Sequence, residues 1–317
     1  MRNDVVLGID TSNYTTSLAL VSVEGELIAN LKRLLPVKAG ECGLRQSDAL
    51  FHHTKNLPIL MKEMRTHLAG RRLVAVGVST RPRNIEGSYM PAFLAGVASA
   101  EAVASSGGVP VYEYSHQCGH IMAALYSAGR FDLLQREHFC ALHVSGGTTE
   151  LLRVSPDGTA FRCEIVGGTR DLNAGQVIDR VGVYMGMGFP AGRELEAFAE
   201  RFDGKIPKRR LSTDGCFLHL SGLENISKKM YDETKDEALV SAFTLRTLAS
   251  GICTITEAYL ERYPDEPVLF AGGVMSNKQI KEYLSSRLDA SFAEPALSAD
   301  NAVGIAVLAR REYTMGK

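Results

Sequence analysis

Val5-Val6-Leu7-Gly8-Ile9-Asp10, then Thr11-Ser12-Asn13, then Thr16-Ser17-Leu18-Ala19-Leu20-Val21, is the pattern from which the architecture unfolds. A short apolar run bounded by turn formers predicts a buried strand, and the apolar return predicts its antiparallel partner. Glu26 to Leu31 adds a third strand across the Glu24-Gly25 turn. The same order recurs later in the chain. Cys140-Ala141-Leu142-His143-Val144-Ser145 reads as a strand, Gly146-Gly147-Thr148 as the turn, Glu150 to Val154 as the return, and Ala160 to Val166 as the third strand. Such duplication predicts two similar α/β lobes with a cleft between them.

Outward from these two hairpins, helices and strands alternate. In the first half a helix is expected over 48–68, a strand over 73–79, a helix over 91–105 with Pro91 near its first turn, and a strand over 110–114. In the second half helices are expected over 173–187 and 191–202. A polar stretch leads to a long helix over 234–262, then a strand over 268–271, Gly272-Gly273, a helix from Ser276 and a final helix after Asp300. The expected lobes are 1–130 and 131–317, with the last helix a candidate to pack back on the first lobe.

With 317 residues, 45% hydrophobic and 22% charged, the chain can build two lobes of about 150 residues with a real core. A net charge of −1 excludes a globally basic nucleic-acid binder and leaves only local patches. Six cysteines at 42, 118, 140, 163, 216 and 253 form no C-x-x-C pair, which fits reduced thiols better than a disulfide framework. The N-terminus turns polar too early for a signal peptide, and no apolar run approaches ~18 residues. The expectation is a soluble cytoplasmic protein with no membrane partner.

Three kinds of stretch carry chemistry. His116-Gln117-Cys118-Gly119-His120 puts two imidazoles on one helix face, the spacing at which one helix gives a metal two ligands. Gln117 stands where a zinc peptidase needs a Glu as general base, so peptidase chemistry is disfavoured. The alternative is a solvated or hydrogen-bonded histidine pair. Next, Asp10 to Asn13, Ser145 to Thr149 and Ala271 to Asn277 each place a Gly/Ser/Thr turn after a buried strand, which suits phosphates, and matched turns in a duplicated architecture favour a nucleotide over three ordinary turns. Finally, Asp179 precedes the Gly-containing helix start Pro190-Ala191-Gly192, a geometry for ribose hydroxyls or merely an interhelical turn.

Six stretches in order, GIDTSNYTTSLALV, HQCGH, VSGGTTELL, NAGQVIDRVGVYMGMGFPAG, AGGVMSN and SADNAVGIAVLA, resemble the universal tRNA threonylcarbamoyladenosine synthesis family, formerly called glycoproteases. The resemblance implies the duplicated actin/sugar-kinase/Hsp70 fold with its nucleotide cleft. It implies that His116, His120 and Asp300 ligate one divalent metal, Fe2+ or Zn2+. His143, where some members place a coordinating Tyr, becomes a candidate fourth ligand, or else a hydrogen-bonded core histidine. It places Ser145, Gly146 and Gly147 at the phosphate and carbamoyl end as catalytic backbone, with His143 and Val144 leading into them. Asp179, Gly192 and Glu196 match nucleoside-binding positions, and Asn277 matches an adenine-contacting Asn.

The implied function is metal-dependent transfer of the threonylcarbamoyl group from threonylcarbamoyl-adenylate to N6 of adenosine 37 in tRNA. TsaB-like and TsaE-like accessory subunits are the implied partners. Local cations that could meet tRNA are Arg81 and Arg83, and Lys205, Lys208, Arg209 and Arg210. Three departures cluster near the site: Thr80 to Gly87 replaces a Gly-Pro-Gly run, Thr148 follows Ser-Gly-Gly, and Asp171 and Asn173 stand for an acidic pair. They point to a paralogue with shifted substrate or reduced activity. The competing readings are an ATP-dependent small-molecule kinase and a non-catalytic nucleotide-binding scaffold.

Overall fold

The computed structural model describes residues 3–12, 14–36, 44–298 and 302–316. The chain divides into two compact units, one of Met1–Phe131, Pro156–Arg162 and Ala299–Lys317, the other of Asp132–Ser155 and Cys163–Ser298.

The first unit is built on a five-stranded sheet. Its strands are β1 (Asp4–Asp10), β2 (Thr15–Ser22), β3 (Leu27–Leu34), β4 (Arg72–Arg81) and β5 (Val111–Ser115), in the order β3-β2-β1-β4-β5. β1 pairs antiparallel with β2 and parallel with β4, which pairs parallel with β5. Every residue of β1 and β2 is buried, because both faces of the sheet are covered, and strands so covered read as continuous apolar runs. On one face Leu7, Ile9, Leu18 and Leu20 pack against Leu57, Leu60 and Met64 of α1 (Gln46–Leu68) and Ala100 and Ala104 of α2 (Phe93–Gly107).

The alternate residues of β1 point the other way, toward the C-terminal helix Val303–Met315. Gly8 and Gly77 face each other across β1 and β4. A Cβ on Gly8 would lie 2.5 Å from the Ala302 carbonyl oxygen, and one on Gly77 would lie 2.7 Å from the Ala309 methyl. Paired glycines therefore let the helix lie directly on the sheet. α3 (His116–Ala128) crosses the same helix, where a Cβ on Gly304 would fall 1.8 Å from the Gly119 carbonyl oxygen.

The second unit repeats this plan. Its strands are β6 (Phe139–Val144), β7 (Thr149–Asp157), β8 (Ala160–Thr169), β9 (Thr213–Asp214), β10 (Phe217–Leu218), β11 (Val268–Ala271) and β12 (Ala290–Phe292), ordered β12-β11-β6-β7-β8-β10-β9. β6 is antiparallel to β7 and parallel to β11, and β11 is parallel to β12. Strand for strand, β8-β7-β6-β11-β12 matches β3-β2-β1-β4-β5, and the small β9–β10 ribbon is added at the edge. The expected duplicated α/β fold is the one observed.

Around this sheet lie α4 (Ala174–Tyr184), α5 (Gly192–Ala199), α6 (Ser221–Thr234), α7 (Glu237–Leu260), α8 (Lys278–Ser285) and the single turn α9 (Pro295–Ser298). The expected long helix over 234–262 is α7, and a further helix, α6, precedes it in the stretch expected to be polar. Lys235 takes φ of 51°, ending α6, and the Asp236 carboxylate accepts from Leu239 N at 2.9 Å to start α7. Among the described residues α7 is the helix long and apolar enough to cross a membrane. It is a core helix, with 72% of that apolar window buried and Phe243, Leu248, Ile252 and Tyr259 in the main apolar cluster. The five cysteines among the described residues are all free.

Candidate functional site

In the first unit the site starts from the ends of β1 and β4 and the first turn of α3. Ser115 caps α3 by accepting from Cys118 N at 3.3 Å, so His116 and His120 stand one turn apart on its first turns. Their rings meet edge to face at 4.2 Å between centroids. His116 Nδ1 lies 3.0 Å from Oδ2 of Asp10, whose side chain is fully buried. That carboxylate also accepts from the Ser12 hydroxyl at 2.8 Å and from Ser12 N at 3.2 Å, and it accepts a short bond from the Ser79 hydroxyl. The other ring nitrogen of His116 lies 3.4 Å from Ser12 Oγ.

This donor set fits a divalent metal. An imidazole that ligates through one nitrogen is commonly held through the other by a carboxylate, which fixes the ring and raises its basicity. Asp10 stands in that position. The residues that sequence reasoning missed are Asp10, the partner of His116, and Ser79, which donates to Asp10. The available signal is Asp10 at the end of the first strand, a position that the sequence pattern assigns only to a phosphate turn. Among the described residues no three His, Cys, Asp or Glu side chains group as a metal site. Asp300, the third expected ligand, lies outside the described residues.

The loop after β4 that departs from the family pattern packs against this helix start. Pro82 O accepts from Gln117 N at 3.0 Å. Asn84 Nδ2 donates to Phe161 O at 3.1 Å and approaches Cys118 Sγ at 3.3 Å. Arg81 is turned onto Thr80 and Asn84 within the loop itself.

In the second unit the turn after β6 is tightly self-bonded. Ser145 N donates to Thr148 O at 2.7 Å, and Ser145 Oγ accepts from Gly147 N at 3.3 Å and Thr148 N at 3.1 Å. Among the described residues, Gly146 N is therefore the turn amide with no internal acceptor. Both glycines are exposed, with no atom within 4 Å of a Cβ built on either. The N-terminus of α4 is pressed onto the turn: Gly175 N donates to Ser145 O at 3.1 Å, and a Cβ on Gly175 would lie 2.6 Å from Gly146 N. Oriented amides at a helix N-terminus favour an anion there.

His143 is half-buried on β6, opposite Glu150 of β7 and Ala271 of β11. Its ring abuts Gly272, where a Cβ would come within 2.8 Å of Cδ2 and 2.3 Å of the Val144 carbonyl oxygen. With φ of 99°, Gly272 occupies a backbone region that side chains rarely adopt. The Gly272-Gly273 turn is thus seated against the end of β6.

The expected nucleoside residues gather around two helix starts. Asp179 of α4 accepts from Ala191 N at 2.8 Å, holding the entry to α5. Its carboxyl is shifted above the ordinary carboxylate value by burial, which this hydrogen bond partly offsets. Gly192 opens α5, and a Cβ there would sit 3.8 Å from Ile178. Glu196 accepts from Lys278 N at 2.6 Å, and Asn277 Oδ1 accepts from Ile280 N at 3.0 Å, so both bind the start of α8. Asp171 accepts from Leu172 N, Leu220 N, Ser221 N and the Ser221 hydroxyl, so it supports α6 rather than the site.

The family model for TsaD, tRNA N6-adenosine threonylcarbamoyltransferase, matches residues 40–307. A tRNA N6-adenosine threonylcarbamoyltransferase of Streptococcus suis (strain 05ZYH33) is 31% identical over 328 residues, covering 99% of this chain and 94% of its own. That of Streptococcus thermophilus (strain CNRZ 1066) is 31% identical over 329 residues, covering 98% and 93%. Among solved structures, T. kodakarensis HypF superimposes with a TM-score of 0.60 at 12% identity, covering 99% of this chain and 48% of that one. A ROK family glucokinase from Streptomyces griseus, in complex with glucose and AMPPNP, gives 0.52 at 14%, covering 97% and 99%. At those identities the structures show the fold alone, that of sugar kinases and their actin-like relatives. The sequence relatives go further, because they align with the whole length that carries the histidine pair, the Ser-Gly-Gly turn and the nucleoside cluster: the chain belongs to the TsaD family of tRNA N6-adenosine threonylcarbamoyltransferases.

Proposed function

We propose that this protein transfers the threonylcarbamoyl group of threonylcarbamoyl-adenylate to N6 of adenosine 37 in tRNA. The transferase class follows from the family; the donor, the metal and the complex are our reading. The observation that carries it is the His116–His120 pair with His116 held on the buried Asp10 carboxylate. Neither the kinase nor the scaffold reading gives that arrangement work to do.

His116 and His120 would hold the metal with Asp300, and His143 is the candidate fourth ligand. When bound, Fe2+ or Zn2+ supplies Lewis-acid polarisation of a carbamoyl or carboxylate oxygen. Asp10 fixes the tautomer and orientation of His116. Gly146 N, in the exposed turn beside the N-terminus of α4, would meet the phosphate or the developing negative charge. The self-bonded turn leaves Gly146 N for this work rather than the full set of amides from Ser145 to Gly147. Asp179, Gly192, Glu196 and Asn277 would orient the nucleoside. Because Asn277 Oδ1 already caps α8, its Nδ2 is the group left to donate to a base. TsaB-like and TsaE-like subunits complete the proposed assembly.

The test is metal content and single-turnover transfer. Protein purified without added metal carries about one Fe or Zn, and His116→Ala with His120→Ala loses both the metal and transfer to unmodified tRNA. Stoichiometric metal in the double variant, or wild-type transfer by it, would falsify the mechanism.

A further inference from the structure

Several cations of the second unit are paired with a carboxylate or an aromatic ring. Arg153, Arg170, Arg180 and Lys228 each lie against a carboxylate, and Arg246 and Arg287 lie against the Tyr283 ring. The segment between α5 and β9 does the opposite. Lys205, Lys208, Arg209 and Arg210 are all exposed, and among the described residues none has a carboxylate or ring partner. No Asp or Glu occurs from Gly204 to Thr213.

The segment is also held in place. Ile206 and Leu211 pack on the main apolar cluster, with Leu211 Cδ1 reaching within 2.7 Å of where a Cβ on Gly251 would be. Those two anchors turn inward and leave Pro207, Lys208, Arg209 and Arg210 between them in solvent. The result is a short strap with its apolar residues spent on the core and its cations presented together. A protein partner is ordinarily met with exposed aromatic or aliphatic anchors, and the strap offers none. A polyanionic backbone needs only the charges.

We propose that the strap 205–210 is a docking site for the phosphate backbone of the RNA substrate. The proposal rests on the tRNA reading above. It makes the strap a source of affinity without sequence readout, in a chain whose overall charge of −1 supplies no general attraction.

Binding of the full chain to unmodified tRNA, followed by fluorescence anisotropy from 50 to 200 mM salt, tests it. Four phosphate contacts steepen the dependence of log affinity on log salt by about 3. The variant Lys205→Gln, Lys208→Gln, Arg209→Gln, Arg210→Gln is therefore expected to be less salt-sensitive, with wild type losing roughly 60-fold more affinity across that range. A control removing Lys55, Lys62, Arg65 and Lys229 keeps the wild-type slope. If the strap variant folds poorly, Lys208→Gln and Arg209→Gln singly should each lower the slope by about 1. A wild-type slope in the strap variants, as an acidic protein partner would give, overturns the proposal, and so does an equal loss in the control. Absence of tRNA binding at any salt, by the wild-type chain alone and with the proposed accessory subunits, overturns the tRNA reading and the strap with it. Wild-type binding and transfer with an unchanged strap slope overturns the strap alone.

Discussion

Asp10 is the residue whose weight the structure raises most. Its carboxylate is fully buried, bonded by Ser12 and Ser79, and spent on one nitrogen of His116. Asp10→Asn keeps an acceptor but removes the charge, so metal affinity should fall by about 10-fold, the low end for such outer partners. Metal titration at constant circular dichroism checks this, and unchanged affinity would detach Asp10 from the pair. Gly192 gives a second prediction. Its Cβ position is open to ordinary contact with Ile178, so Gly192→Ala should leave stability within about 1 kcal/mol. If a nucleoside lies against its backbone, the same methyl should weaken adenylate binding about ten-fold or more. Calorimetry of AMP binding decides, and full affinity would remove Gly192 from the site. The histidine pair was legible in sequence because its spacing is local. The Asp10 contact was not, because it joins residues 106 apart and depends on the end of β1 lying beside the start of α3.

At the scale of elements, helix starts are the organising parts of the second unit, and several are bound by side chains from elsewhere in the chain. Asp171 shows the consequence for pH. Burial alone would raise its pKa, but the hydrogen bonds from Leu220, Ser221 and Leu172 outweigh burial and hold it well below the ordinary carboxylate range. For a depressed carboxylate the stabilisation is complete above the unfolded pKa near 4 and is lost as pH falls toward the lower folded value. Asp171→Ala should therefore cost about 1 kcal/mol at pH 7. The gap from wild type should shrink as pH drops below about 4. Urea denaturation at several pH values measures it, and a gap independent of pH would exclude the carboxylate as its source. The central strands were readable because burial on both faces makes them continuous apolar runs. α6 was not, since Ser221 to Thr234 is mostly polar and its start is stabilised by Asp171, 50 residues before Ser221.

For the whole molecule, the two sheets are copies in order and direction, and the hairpin repeat was enough to predict that. What the repeat could not give is the use each copy makes of its central strands. In the first unit Gly8 and Gly77 clear a seat for a helix from the far end of the chain. Removing residues 299–317 should therefore unfold β1, β4 and α3 while sparing the cluster around α7. Hydrogen exchange on the truncated chain would show amides of the first unit exchanging freely and those of α7 still protected. Retained protection in β1 would mean that the helix is dispensable. The same seat has a consequence for biosynthesis. β4 leaves the ribosome with Arg81, yet the helix that covers Gly8 and Gly77 begins only at Val303, about 10–45 s later at ordinary elongation rates. The half of the protein made first is the half completed last, its glycine-lined face bare throughout translation, and a nascent chain stalled near its end would present that face to chaperones and proteases.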